Sequence, residues 1–257
     1  MRGFLLISIP EKEKMKKDIH KWFSKSLNKE PEIAVFGHYG YALLMFPTAG
    51  ADLLEYERFN LLESISSFID DGTLKVFSVD GIDNESWLNK ILPPEEKALR
   101  HQQYDDYIIK EVMPFIAKNC KGKVPVITCG ASLGAFHAAN IFFRNPDLFN
   151  GVIAMSGIYD LKFYTDGYFD DVCYFNSPVD YLPGLTDEKI LADMKNKSII
   201  IASGQGAYED PGASRQLSDI LHSKNITHWL DLWGEDITHD WPTWKKMLPY
   251  FLENINI

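Results

Sequence analysis

Ser132 stands between two glycines in Gly130-Ala131-Ser132-Leu133-Gly134. The apolar run Val124-Pro125-Val126-Ile127-Thr128-Cys129 precedes it, and a helical pattern over 135–143 follows. A serine at such a strand-to-helix junction sits in a sharp turn that pushes its hydroxyl out at the top of a sheet, near the positive end of a helix. Glycines two residues before and after let strand and helix approach closely. The chemistry served is nucleophilic attack, and a serine hydroxyl is a weak nucleophile until a base takes its proton. The plain alternative for the same five residues is a Gly-rich turn whose serine caps the helix.

In sheets that present a serine this way, an acid and then a histidine follow it along the chain. His239 is the expected base. It lies in Gly234-Glu235-Asp236-Ile237-Thr238-His239-Asp240, after the last strand and just before a helix opens at Trp241-Pro242. His222 and His228 fall within a helix and a strand and read as structural. The acid is expected in the loop 203–212, which offers Glu209 and Asp210. Asp210 precedes Pro211-Gly212 and has a turn-forming role ready to hand. Glu209 has the longer reach and is preferred, with the choice left open; Asp236 and Asp240 are weaker rivals. Either acid would hold the histidine tautomer and stabilise its cation. The oxyanion formed on attack needs two backbone N–H donors. Leu133 supplies one by position, and the loop Pro47-Thr48-Ala49-Gly50-Ala51 supplies the other, from Ala49 or, next, Gly50.

Several other residues have bland readings. Asp80 and Asp83 end another strand and read as pocket lining or, more simply, helix caps. His137 lies among apolar residues of the helix after Ser132 and reads as a hydrogen-bonded core histidine. Cys129 and Cys173 have no histidine in a matching loop. Ser156-Gly157 reads as a pocket wall.

These residues must be positioned by strands alternating with helices. Strands are expected at 4–9, 32–37, 41–46, 74–79, 124–129, 151–155, 198–202 and 227–232. Helices are expected at 53–69, 94–118, 133–144, 187–195, 213–223 and 241–253, with Pro114 bending or shortening the second. His38-Tyr39-Gly40 reads as a hairpin turn, so the sheet starts antiparallel and becomes parallel. Short continuous apolar strands imply a sheet covered on both faces, a three-layer α/β sandwich. The segment 158–185 breaks the alternation. It has two prolines and eight aromatic residues, and it leaves the edge of the sheet where ligands bind in open α/β folds. It reads as a small cap, with Tyr159, Tyr168 and Tyr174, together with Trp241, as candidate substrate contacts.

At 257 residues, 46% hydrophobic and 24% charged, the chain has the size and composition of one globular domain over 1–257, with 158–185 as the insertion. The formal charge of −10 argues against nucleic acid as partner. Lys12, Lys14, Lys16 and Lys17 are interleaved with acids and read as a solvated helix face. Three cysteines without metal-like spacing fit a reducing compartment. The run 3–9 is too short for a signal sequence, and no segment approaches a membrane span. A cytoplasmic protein is therefore expected. No metal or nucleotide motif is present, so no cofactor is indicated. The sequence leaves a homo-oligomer open.

The turn 130–134, the phrase Tyr174-Phe175-Asn176-Ser177-Pro178-Val179-Asp180-Tyr181-Leu182-Pro183, the Gly204-Gln205-Gly206 loop and the ending His239-Asp240-Trp241-Pro242-Thr243-Trp244 together resemble bacterial esterases of the esterase D / feruloyl esterase-like branch of the α/β-hydrolases. The resemblance runs over about 32–252, and its ending is its most specific part. It implies an α/β-hydrolase fold and a serine esterase with Ser132 as nucleophile and His239 as base. Relatives often carry Asp a few residues into the acid loop, where Ala207 stands here; that departure keeps the acid between Glu209 and Asp210. The expected activity is hydrolysis of small-molecule carboxylic esters through an acyl-enzyme, on short-chain, aromatic or sugar-linked acyl esters. The alternatives are an acyltransferase on the same fold and a catalytically silent binding protein.

Overall fold

Strands that are apolar on both sides need cover on both sides, and the sequence supplies it. The computed structural model describes residues 15–256. Eight strands form one sheet: β1 (Lys17–Lys21), β2 (Glu32–Phe36), β3 (Tyr41–Phe46), β4 (Leu74–Val79), β5 (Val126–Ala131), β6 (Gly151–Met155), β7 (Ser198–Ser203) and β8 (Trp229–Leu232). Their order is β1-β2-β4-β3-β5-β6-β7-β8. The joins β1 to β2 and β2 to β4 are antiparallel, and the others are parallel. The helices are α1 (Glu55–Arg58), α2 (Leu61–Ser64), α3 (Ser66–Asp70), α4 (Pro94–Tyr107), α5 (Met113–Asn119), α6 (Leu133–Arg144), α7 (Asp171–Tyr174), α8 (Pro178–Gly184), α9 (Glu188–Lys195), α10 (Pro211–Ser223) and α11 (Trp241–Asn254).

The strand side chains alternate between two cores. Val152 and Ala154 of β6 join Leu44, Phe46 and Phe77 beneath α4, α5, α6, α8, α9 and α10. Ile153 and Met155 join Leu43, Met45 and Val76 beneath α2, α3 and α11. From α11, Trp244, Met247, Leu248 and Phe251 are all at most 4% exposed; burying each such side chain contributes about 1.5–3 kcal/mol. The result is the three-layer, mostly parallel α/β-hydrolase sandwich.

Some expectations are corrected. Lys17 belongs to an exposed edge strand rather than a helix face, where charge discourages pairing with another chain; Lys12 and Lys14, like the strand expected at 4–9, lie outside the described residues. The turn 37–40 does not make a hairpin. The antiparallel start is correct, but β4 lies between β2 and β3. The turn instead passes over the entry to β4: a Cβ on Gly40, at φ +104°, would stand 2.3 Å from the Thr73 carbonyl oxygen. The helix expected at 53–69 is three short helices, broken where Asn60 takes a left-handed φ of 58° and Ile65 a φ of −115°. These breaks turn Leu61, Leu62, Ile65 and Ile69 together onto the sheet. Before Pro114 the helix widens into one π-helical turn, Ile108–Val112, which makes room for the proline ring and for the carbonyl left without its donor. The segment 158–185 forms α7, α8 and a single 3-10 turn, and it packs against α4, α6 and α10.

No helix among the described residues is long and apolar enough to cross a membrane.

Candidate active site

Ser132 follows β5, the strand beside β3 near the middle of the sheet. Chain direction reverses its march across the sheet there, the place where open α/β folds form a crevice. The serine backbone takes φ 56° and ψ −127°, a strained conformation for a residue with a side chain, costing about 1–3 kcal/mol. The glycines make the turn feasible. A Cβ on Gly130 would stand 2.2 Å from the Gly134 carbonyl oxygen, and one on Gly134 would stand 2.3 Å from that of Phe46. The end of β3 is thereby pressed against the first turn of α6, next to Ser132.

His239 arrives from the loop after β8. Its Nε2 lies 2.9 Å from Ser132 Oγ, and its Nδ1 lies 3.4 Å from Glu209 Oε2. With its proton on Nδ1, facing Glu209, the ring has Nε2 free to accept from the serine hydroxyl. The histidine loop is tied to the acid loop by main-chain bonds: His239 N–H donates to Ala207 O at 3.1 Å, and Gly206 N–H donates to Ile237 O at 2.8 Å. The imidazole edge meets Trp244 at 5.1 Å and 83°.

The Glu209 side chain is fully covered. Ser156 Oγ donates to its Oε1 at 2.7 Å, Ser203 Oγ lies 3.2 Å from Oε2, and Trp244 Nε1 in turn donates to Ser156 Oγ at 3.0 Å. Burial alone would raise the carboxyl pKa; the hydrogen bonds from His239 and Ser156 and the His239 charge outweigh it and hold Glu209 below the ordinary glutamate value. Asp210 is elsewhere. Its Oδ1 accepts from Gly212 and Ala213 N–H at 3.0 and 3.3 Å, capping α10. Asp240 caps α11. Ser203 and the hydrogen-bonding role of Ser156 were missed. The signal available was a hydroxyl residue at the end of each of two neighbouring strands, Ser156 directly after β6 and Ser203 as the last residue of β7.

The loop 47–51 is held by two buried carboxylates. Glu55 accepts from Thr48 N–H at 2.9 Å and Thr48 Oγ1 at 2.6 Å. Asp83 Oδ2 accepts from Gly50 N–H at 3.1 Å. Gly50 is therefore already engaged, whereas the N–H groups of Ala49 and Leu133 have no hydrogen-bond partner among the described residues. The other oxygen of Asp83 lies 2.7 Å from His137 Nε2, with both residues under 5% exposed. His137 is thus a hydrogen-bonded core histidine that links α6 to this loop. Asp83→Ala strands the His137 and Gly50 donors, so a stability loss of about 3–5 kcal/mol is expected. A urea unfolding midpoint within error of wild type would overturn that expectation.

The aromatic candidates separate. Trp241 stacks on Phe59 at 4.4 Å and 2° and meets Tyr56 edge-on at 5.8 Å; Tyr56 Oη donates to Phe46 O at the end of β3. This aromatic group adjoins His239 and the loop 47–51. Tyr159 is not an open wall: it is 1% exposed, because the bare Gly157 backbone lets its ring turn into the core. Tyr168 is exposed and bonds Asp170 at 3.0 Å. Tyr174 lines a different cleft, with Phe143 and Arg144 at the far end of α6 from Ser132; that helix spans about 18 Å. From the 158–185 segment, Leu161 and Cys173 pack with Leu133, Phe136 and Trp87 on the flank of the serine turn. His228 is engaged by Ser218 and the Ile226 carbonyl. Among the described residues no group of three or more His, Cys, Asp or Glu side chains is arranged to hold a metal ion.

Residues 56–255 match the family described as "Putative esterase". Comparison with curated proteins returns no match. Among solved structures, the fold is similar to a ferulic acid esterase (TM-score 0.72, 19% identity, covering 93% of this chain and 96% of that one). It is similar to the apoenzyme of S-formylglutathione hydrolase from Staphylococcus aureus (0.71, 16%, 95% and 98%). It is also similar to fluorophosphonate-binding serine hydrolase F of Staphylococcus aureus, solved with substrate bound (0.71, 14%, 93% and 97%).

Proposed function

This chain belongs to the "Putative esterase" family, and from that premise we propose a serine-dependent carboxylic-ester hydrolase that works through an acyl-enzyme. The observation that carries the reading is the 2.9 Å contact between His239 Nε2 and Ser132 Oγ, two groups separated by 107 residues. Ser132 Oγ attacks the ester carbonyl carbon as His239 Nε2 takes its proton. The carbonyl oxygen becomes an oxyanion and accepts from the N–H groups of Leu133 and Ala49, with Gly50 holding the loop rather than donating. The tetrahedral intermediate collapses, the alcohol leaves with the proton from His239, and the acyl group stays on Ser132. Water then gives a proton to His239 and attacks the acyl carbon. Collapse releases the acid and returns the proton to Ser132 Oγ. Glu209 stabilises the imidazolium in both halves. Two preorganised donors on an oxyanion are worth about 100- to 1000-fold in rate each.

The proposal extends to a substrate class. Phe59 and Trp241, stacked on each other and partly exposed above the buried Tyr56 and Trp244, present aromatic surface near His239, which favours a short or aromatic acyl group, and aromatic rings also stack on sugar faces. A solved protein of this fold is named for ferulic acid and another for S-formylglutathione; both names concern small acyl groups. A panel of p-nitrophenyl esters, from acetyl to decanoyl, together with a feruloyl ester, tests the class. Acetyl to butyryl and feruloyl esters are expected to turn over, with kcat/KM falling as the acyl chain lengthens further. A maximum at decanoyl would sink the short or aromatic acyl assignment while leaving the mechanism intact.

A further inference from the structure

We propose that a cavity at the opposite edge of the sheet from Ser132 binds a small organic phosphate. It lies between the turn 38–40, Tyr41 at the start of β3, Lys75 of β4 and the 119–125 segment that joins α5 to β5, and its volume is about 730 Å³. Six-residue strands separate it from the serine edge, a distance of roughly 20 Å. It is therefore a second site and does not rest on the esterase reading.

Its charge is the opposite of the chain's. The net charge is −10, yet Lys75, Lys121, Lys123 and His38 line the cavity and, among the described residues, no carboxylate does. Like charges gathered on one concave wall repel each other, and a bound anion relieves that repulsion.

Lys75 carries the argument furthest. It is 8% exposed, so its stem is buried while its ammonium reaches the cavity. No ion pair or hydrogen bond to Lys75 exists among the described residues. Its Nζ stands 5.8 Å from the centre of the Phe77 ring, at the outer reach of a cation–π contact. A phosphate offers acceptors to these lysines.

The same features choose the ligand class. Compact ammonium groups bind phosphate as point charges, and three of them match a dianion better than a monocarboxylate. The volume falls in the range of small-molecule sites and exceeds what inorganic phosphate fills. The exposed ring of Tyr39 and the ring of Tyr41 provide apolar surface for the remainder.

Cys120 provides a local reporter. It lines the cavity and is partly exposed, whereas Cys129 and Cys173 are buried. Burial raises its thiol pKa, so alkylation by N-ethylmaleimide is followed at mildly alkaline pH by mass spectrometry. Phenyl phosphate, inorganic phosphate, benzoate and sodium chloride are compared at equal ionic strength. Phenyl phosphate is expected to slow Cys120 alkylation saturably, by roughly tenfold at ten times its Kd, with inorganic phosphate weaker and benzoate and chloride without effect. Lys121→Gln/Lys123→Gln, two exposed positions, and Lys75→Met should each weaken this protection about tenfold relative to their own unliganded rates, while ester hydrolysis by the double variant stays at wild-type level. Equal protection by chloride or benzoate, no protection at all, or protection that survives in the double variant would overturn the proposal. The exposed pair keeps the test decisive if Lys75→Met does not fold.

Discussion

Ser132→Ala is expected to lower kcat on an activated ester by roughly 100,000- to 1,000,000-fold. The magnitude follows from the mechanism. Without Oγ there is no acyl-enzyme, and what remains is whatever rate the Leu133 and Ala49 donors give to direct attack by water. His239→Ala should fall to a similar floor, and the double variant should fall no further, because a nucleophile and its base act as one unit. The fold should barely register the serine change. Position 132 keeps its left-handed φ of 56° with alanine, so the strain persists, and the turn is fixed by Gly130 and Gly134 rather than by the hydroxyl. The pair of measurements is therefore kcat with a p-nitrophenyl ester and the thermal midpoint. A folded Ser132→Ala protein with wild-type turnover would remove the mechanism altogether. Fluorophosphonate labelling gives an independent reading: wild type should label, and the serine variant should not.

What the sequence made legible is what local chemistry determines. The strands 41–46, 74–79 and 151–155 and the helix 133–144 are each a single uninterrupted period with a turn signal at its end, and the structure has them at those residues. The loops that meet at Ser132 were predictable for a related reason, since each directly follows a strand of the parallel sheet. Less legible were features decided by distant partners. Nothing in Lys17-Asp18-Ile19-His20-Lys21 marks a strand, because its pairing comes from β2. The crossing of the 37–40 turn over β4 depends on Thr73, and the break at Asn60 depends on the surface that Leu61 and Leu62 must reach. The same holds for polar pairs. Asp83 and His137 are 54 residues apart, and neither carries a local sign of the other. Tyr159 was misjudged because an aromatic residue after a strand looks the same in sequence whether it faces a crevice or, as here, folds back over a glycine into the core.

Glu209→Gln and Asp210→Asn should give opposite results, and the contrast assigns the acid. Glutamine keeps the shape of Glu209 but loses the charge that faces His239 and permits an amide donor to face Nδ1, which favours the wrong tautomer. A fall in kcat of roughly 1,000- to 10,000-fold is expected, the scale seen when a triad acid is neutralised. Asp210→Asn should leave kcat within about twofold and stability nearly unchanged, since asparagine caps a helix as well as aspartate does. Wild-type turnover in Glu209→Gln beside a crippled Asp210→Asn would reverse the assignment. Stability supplies a second signature with a definite sign. Hydrogen bonds and the His239 charge, working against burial, lower the folded-state pKa of Glu209. Its contribution is then fully present above the unfolded glutamate pKa, about 4.3, and is lost as pH falls through the lower folded value. Wild type should therefore be more stable than Glu209→Gln at neutral pH, and the gap should narrow below about pH 4. A gap that stays constant with pH would mean that the carboxylate charge is not what Ser156 and His239 hold, and the glutamine variant's loss of activity would then need a cause in packing rather than in the ion pair.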